Sequence, residues 1–329
     1  MDSENNHGSI RNTLSTIDNQ GKRKYVFPKK PKGKLHNYRL IIGWVLLIFF
    51  FVSPFIKMNG EPLLMLNVID RHFVIFGNIF WPQDTFIFAI LMLTILVFIV
   101  VFTVAFGRLW CGWACPQTIF MEILFRKVEY LIDGDSRKQR KLKAQAWNFE
   151  KIWKRTLKHI VFLFLAFLIT TTLFSWVLGI ENLLKIASEP IADHRSGFIG
   201  FLALTGFLMF VYTWFREQVC SILCPYGRLQ GVLLDSNTVV VAYDYKRGEP
   251  VGTFKKSEDR NSANKGDCID CKQCIEVCPT AIDIRNGTQL ECINCTACID
   301  ACNRTMQRVG LPKGLIRFDS DNGIKTGQK

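Results

Sequence analysis

Four runs of this chain contain no Asp, Glu, Lys or Arg: Leu40 to Ile56, Thr85 to Phe106, Ile160 to Ile180 and Gly197 to Phe215. They are 17 to 22 residues long, and a helix needs about 20 apolar residues to cross the hydrocarbon of a bilayer. Buried helices of a soluble core are the competing reading, but four such runs in one chain would be extraordinary there. The runs predict four transmembrane helices. Trp81, Trp110, Trp113, Trp176 and Trp214 fall near their ends, where an indole suits the headgroup region. The composition agrees, because 49% of residues are hydrophobic and 27 are Phe, too apolar for an average soluble enzyme. The first 39 residues are polar and basic without an apolar h-region, so the first span is expected to direct insertion without a cleavable signal peptide.

The net charge of +13 has a topological explanation. Nine Lys or Arg precede the first span, two lie between Lys57 and Asp84, twelve between Gly107 and Lys158, and two between Glu181 and Ser196. This alternation is the positive-inside pattern for a multi-pass protein with both ends of the chain in the cytoplasm. A nucleic-acid partner is not needed to explain it. The basic excess would lie against anionic lipid, and the bilayer is the first predicted partner.

The topology exposes a repeat. Spans one and two end at Cys111 and Cys115, and spans three and four end at Cys220 and Cys224, an offset of 109 in both cases (220 minus 111, 224 minus 115). Pro116 and Pro225 follow the second cysteine of each pair. The fold class expected is an α-helical integral membrane protein of four helices in two parallel repeats, with both cysteine pairs at the cytoplasmic edge. After Pro116, Ile119, Phe120, Ile123, Leu124, Val128 and Leu131 recur at helical spacing, which predicts a helix lying in the interface. Composition then divides the chain into a basic tail (1–39), a membrane domain (40–233), a strand and linker segment (234–267), a two-cluster domain (268–310) and a C-terminal tail (311–329).

The two-cluster domain carries the most specific signal. Cys268, Cys271, Cys274 and Cys278 form one C-x-x-C-x-x-C-x-x-x-C run, and Cys292, Cys295, Cys298 and Cys302 form a second. In an α+β bacterial ferredoxin-like domain, each run wraps three thiolates around one [4Fe-4S] cluster and sends the fourth to its neighbour. Cys268, Cys271, Cys274 and Cys302 are thus assigned to one cluster, and Cys278, Cys292, Cys295 and Cys298 to the other. Zinc would close with four ligands and needs no third cysteine in each run, and the cytoplasm disfavours disulfides. Pro279 follows the first run, whereas Asn303 follows the second, so a change in the chain exit is expected there. Ile269, Ile275, Val277, Ile282, Ile284, Ile293 and Ile299 are expected to shield the clusters from water.

Cys111, Cys115, Cys220 and Cys224 remain. Residues four apart lie on one helical face, so the two pairs could converge on a site of up to four sulfurs. Soft thiolates favour monovalent copper and also bind zinc; small packing residues and a metal-free dithiol are further readings. Arg108 and Arg216 precede the two pairs and are expected to favour thiolate by their charge. No span has an internal His for haem b and there is no C-x-x-C-H. His159 sits at the mouth of the third span, while His72, Asp84 and His194 fall on the opposite side, open to a surface or copper-contact role.

"GRLWCGWACPQT", "FGNIFWPQD", "REQVCSILCPYGRLQ", "YDYKRGEPVG" and the ferredoxin run from Gly266 to Cys302 together resemble the cytochrome c oxidase accessory protein family, CcoG, also called FixG or RdxA. The resemblance covers nearly all of residues 25 to 320. It implies a bacterial inner-membrane iron–sulfur protein of the oxidoreductase class in which Cys111, Cys115, Cys220 and Cys224 reduce divalent to monovalent copper. A cytosolic electron donor, a copper chaperone and the assembly machinery of cbb-type cytochrome c oxidase would be its partners. Family members usually continue into another span and a periplasmic immunoglobulin-like domain, beyond where this sequence stops. Two other functions stay open: a quinol dehydrogenase-like conduit similar to NapH and NosR, and a non-catalytic assembly scaffold.

Overall fold

The apolar runs form four helices in the computed structural model, which describes residues 23, 25–58, 61–67, 72–75, 77–80, 85–190, 194–255, 260 and 262–327. The spans are Lys34–Phe55, Ala89–Phe106, Phe149–Leu178 and Arg195–Phe215. Their outer faces are apolar, with Val45, Leu93, Phe98, Phe164 and Ile199 all exposed. In water each such side chain would forgo about 1.5–3 kcal/mol of burial, whereas lipid removes that penalty. Thr205 Oγ1 donates to Thr170 Oγ1 at 3.1 Å between the third and fourth spans, a buried polar contact of the kind worth about 0.6 kcal/mol in membranes. Trp81 and Asp84 lie outside the described residues, as does the side chain of His72; His194 Nε2 lies 2.5 Å from Glu189.

The first and third spans begin before their apolar runs. Lys34 to Arg39 is already helical, and the helix starts because the Asp300 carboxylate accepts from the free N–H groups of Leu35 and His36 at 3.4 and 2.8 Å. The segment that precedes it is no free tail. Tyr25 donates to the Thr213 carbonyl at 2.9 Å and Lys29 N to the Glu276 carbonyl at 2.7 Å, which ties the membrane bundle to the cysteine-rich domain.

The helix after Pro116 departs from expectation. It runs through Pro116–Ile119, a π-helical segment Phe120–Phe125 and Arg126–Ile132. Instead of lying on lipid, it inserts Ile119, Phe120, Ile123 and Phe125 into the bundle core beside Leu47, Phe162, Ile169 and Tyr212. Phe125 stacks on Tyr212 with centroids 4.2 Å apart. The physical reason is the polar side of the same helix: Arg126 and Glu129 find buried ionic partners, so neither face has to meet water or headgroups.

At the opposite end from the cysteine pairs, strands Leu64–Asn67, His72–Ile75 and Asn78–Phe80 form an antiparallel sheet between the first two spans. Beyond the fourth span, Val240–Tyr243 pairs antiparallel with Ile316–Asp319, Val240 opposite Asp319. The segments 234–267 and 311–329, separate in the sequence reading, thus meet in one sheet. That sheet packs Val241, Tyr243, Leu315 and Ile316 against Ile282, Ile284, Ile299 and Met306. The helices Gln273–Val277 and Ala297–Val309 complete this α+β unit. Asn303 changes the chain exit as expected: the first helix ends at Val277, before Cys278 and Pro279, while the second continues past Cys302 to Val309.

Candidate functional site

The two cysteine runs share a backbone device. Asp270 and Lys272 have φ of 50° and 54°, and Asn294 and Thr296 have φ of 52° and 63°. Non-glycine residues rarely adopt this left-handed region, yet it recurs at the same places in both runs, 24 residues apart (294 minus 270, 296 minus 272). Alternating right- and left-handed residues turn successive N–H groups inward into a nest, the concavity that holds anionic and iron–sulfur groups.

Each nest opens on a cavity. One is lined by Cys268, Cys271, Cys274 and Cys302 and the other by Cys278, Cys292, Cys295 and Cys298, with Cys274 on both walls. Each has a cavity volume of about 20 Å³, enough for about one water. Among the described residues no three His, Cys, Asp or Glu side chains converge closely enough for a single metal ion; the sulfurs instead ring spaces larger than an ion. Burial pushes the thiols of Cys274, Cys292 and Cys302 up to about 12 and Cys278 up to about 11. Thiolates in such a shell need a compensating positive charge, which iron supplies. The residues therefore fit two [4Fe-4S] clusters, and Val277, Ile282, Ile284, Ile293 and Ile299 are buried around them while Ile269 and Ile275 are half-buried.

The membrane-edge pairs repeat one another residue for residue. Each span ends where Gly107 or Arg216 takes a left-handed φ, 56° and 51°, again 109 apart (216 minus 107). A short helical turn follows, Leu109–Trp113 or Val219–Leu223. Cys115 and Cys224 then adopt extended backbone, φ/ψ −62°/124° and −71°/110°, with Pro116 or Pro225 opening the next helix. The cysteines of a pair consequently do not share one continuous helical face, as i, i+4 spacing implied; the chain breaks between them because the residue before Pro is driven out of the helical region.

The four thiols are all half-buried and near enough to feel one another's charge, Cys111 that of Cys115, Cys220 and Cys224 and Cys220 that of Cys115 and Cys224. Contrary to the site the spacing suggests, however, among the described residues no three of them converge closely enough to hold one metal ion. The arginines do not make thiolates of Cys111 and Cys220. Burial, then Cys115, pushes Cys111 up to about 12, outweighing Arg108; burial, then Cys115, does the same to Cys220. Arg216 is turned away, bidentate to Glu129 at 2.6 and 2.7 Å. Cys111 donates to Gln230 Oε1 at 3.0 Å, and Gln230 is fully buried. Its amide carries an acceptor for a thiol and donors for a thiolate.

The nest of thiols and the second cysteine run share a wall. Cys111 packs against Val277, Ile293, Cys295 and Ala297. Gly112 sits so close to the run that an added Cβ would stand 2.2 Å from the Ile293 carbonyl oxygen. Trp113 Nε1 donates to the Asn294 carbonyl at 3.2 Å, and Arg39 Nε donates to the Gly112 carbonyl at 2.7 Å. Arg108 donates to the carbonyls of Leu290 and Gly227, joining both repeats to the ferredoxin unit. Gly112, Gln230, Asn294 and Arg39 were invisible to sequence reasoning because their partners lie far along the chain. Only the smallness of Gly112 between the paired cysteines offered a signal.

Four lipid-facing helices carrying a two-cluster unit define a membrane-bound iron–sulfur electron-transfer protein. A 4Fe-4S dicluster domain profile matches residues 215–321, and a 4Fe-4S binding domain profile matches 88–141. The chain is 37% identical over 306 residues to protein RdxA of Cereibacter sphaeroides and 36% over 304 residues to RdxB of the same organism. It is 34% identical over 309 residues to nitrogen fixation protein FixG of Rhizobium meliloti. These alignments cover 89%, 90% and 90% of this chain and 62%, 63% and 57% of those proteins respectively. The chain is thus similar over about nine-tenths of its length to these FixG and RdxA proteins, and it spans about 60% of their length. No solved structure matches it.

Proposed function

We propose that this chain is a cupric reductase serving assembly of a haem-copper oxidase, with Cys111, Cys115, Cys220 and Cys224 as the copper site. Cys268, Cys271, Cys274 and Cys302 hold one [4Fe-4S] cluster, and Cys278, Cys292, Cys295 and Cys298 hold the other. A bound [4Fe-4S] cluster supplies one electron at a time, the number that converts Cu(II) to Cu(I). The thiols favour that product, because soft sulfur ligands prefer monovalent copper. Copper is the substrate, and burial keeps the Cys111 and Cys220 thiols that meet it neutral, so its binding there releases protons to solvent. Gln230 can follow the change at Cys111 by rotating its amide from acceptor to donor. The charge alternation supports a bacterial inner membrane with the ferredoxin unit on the cytoplasmic side, where a cytosolic donor renews the electrons and a copper chaperone receives Cu(I).

The observation that carries this reading is the packing of Cys111 against the shell of Cys295. The test is anaerobic reduction of Cu(II) by purified, chemically reduced protein. Replacing Cys111, Cys115, Cys220 and Cys224 together by Ala is expected to abolish Cu(I) formation while the cluster absorbance and iron content stay at wild-type level. Unchanged copper reduction by that variant would remove the thiols from the function.

A further inference from the structure

Outside the cysteine sites a cavity lies where the third and fourth spans meet the Pro116–Ile132 helix, beneath Tyr25 and Phe27 of the N-terminal segment. Its cavity volume is about 260 Å³. Four cations line it, Lys143, Arg155, Lys158 and Arg216, against two carboxylates, Glu129 and Asp133. Both carboxylates are already engaged. Arg216 grips Glu129, and Lys158 donates to Asp133 Oδ2 at 2.6 Å.

Lys143 and Arg155 have no carboxylate partner among the described residues. Lys143 lies over the Tyr25 ring at 5.1 Å and Arg155 over Trp147 at 5.1 Å. Two buried polar atoms of the lining have no hydrogen-bond partner: Asp133 Oδ1 and Thr213 Oγ1. The cavity therefore presents free cations for an anion and a free carboxylate oxygen for a hydroxyl donor. Trp147, under the Arg155 guanidinium, is 68% exposed, an indole placed as at a membrane interface.

We infer that this cavity binds the headgroup of an anionic, hydroxyl-bearing glycerophospholipid, with the phosphodiester between Lys143 and Arg155 and a headgroup hydroxyl donating to Asp133 Oδ1. A zwitterionic headgroup would bring a second cation against the two arginines. Phosphatidic acid would satisfy the cations and leave the Asp133 oxygen without a headgroup hydroxyl.

Native mass spectrometry of the full chain, delipidated and reloaded with phosphatidylglycerol, phosphatidic acid or phosphatidylcholine, tests the site. Phosphatidylglycerol is expected to be retained above both others. The double substitution Lys143→Gln with Arg155→Gln should weaken its retention about thirtyfold, the loss implied by removing two cations near the membrane. Arg155→Lys in the Lys143→Gln background should recover part of it, and unchanged iron content shows that the variants fold. Equal retention of phosphatidylglycerol and phosphatidylcholine, or an unaffected double variant, would overturn the site. Displacement of the lipid by millimolar inorganic phosphate would reassign the cavity to a soluble phosphate and overturn the lipid.

Discussion

At Gly112 a missing side chain sets how near the thiols come to the ferredoxin unit. The Ile293 carbonyl occupies the space a methyl would need, and the neighbour is backbone, which cannot rotate aside. Gly112→Ala is therefore expected to push the second cysteine run away at a cost of about 1–3 kcal/mol, as overpacking does elsewhere. The clusters should survive, since none of their cysteines moves within its own nest, so iron content and absorbance should match wild type while anaerobic copper reduction slows. A variant that reduces copper at the wild-type rate would show that this contact is not part of the electron path. Gln230 acts at the same scale. Its buried amide accepts from Cys111, and it comes from the opposite repeat, so the first thiol pair is completed by the second half of the membrane domain.

Among the elements, the helix Ala297–Val309 departs most from the ferredoxin pattern. With Asn303 in place of proline it keeps its hydrogen bonds beyond Cys302, carries Met306 into the core, and lets Asn303 Oδ1 accept from Gly314 N at 2.8 Å. Asn303→Pro, which restores the commoner residue, should cost about 3 kcal/mol or more, because it removes an interior N–H and crowds the preceding turn. Thermal unfolding followed by cluster bleaching would measure it, and an unchanged midpoint would contradict the account. The cluster loops and spans were legible because iron ligation and lipid crossing each impose a fixed spacing on residue type. The break at Cys115 was legible too, in Pro116, although the helical-face argument passed over it. What spacing could not give was partnership: the Pro116–Ile132 helix looks interfacial until Arg126 and Glu129 meet Glu217 and Arg216, about 90 residues away. The strand Ile316–Asp319 reads as tail until Val240–Tyr243 pairs with it.

Across the whole molecule one ionic network fastens the two repeats together beneath the thiol nest. Arg126 contacts Glu122 at 3.2 Å and Glu217 at 3.4 Å, Arg216 contacts Glu129 and Glu217, and Lys158 reaches Asp133. Arg126, Arg216, Glu129 and Glu217 are all buried, so none of these charges can be left alone cheaply; breaking such a pair by removing one partner costs about 3–5 kcal/mol. At Glu129 burial acts to raise the pKa, but the charge and hydrogen bonds of Arg216, with Lys158 behind them, outweigh it and hold the carboxyl below its ordinary value of 4.5. A carboxyl whose folded pKa is depressed contributes stability that is complete above the unfolded value and is lost as pH falls through the lower folded one. Glu129→Gln should therefore destabilise the detergent-solubilised protein by about 3–5 kcal/mol at neutral pH. On acidification below the ordinary carboxylate range the wild type should lose stability faster than the variant, and the gap between them should close. Thermal unfolding of both proteins at neutral pH and at progressively lower pH reads this directly. A gap that keeps its full size after Glu129 is protonated would mean that the charge of Glu129 does not hold the repeats together and that its packing does.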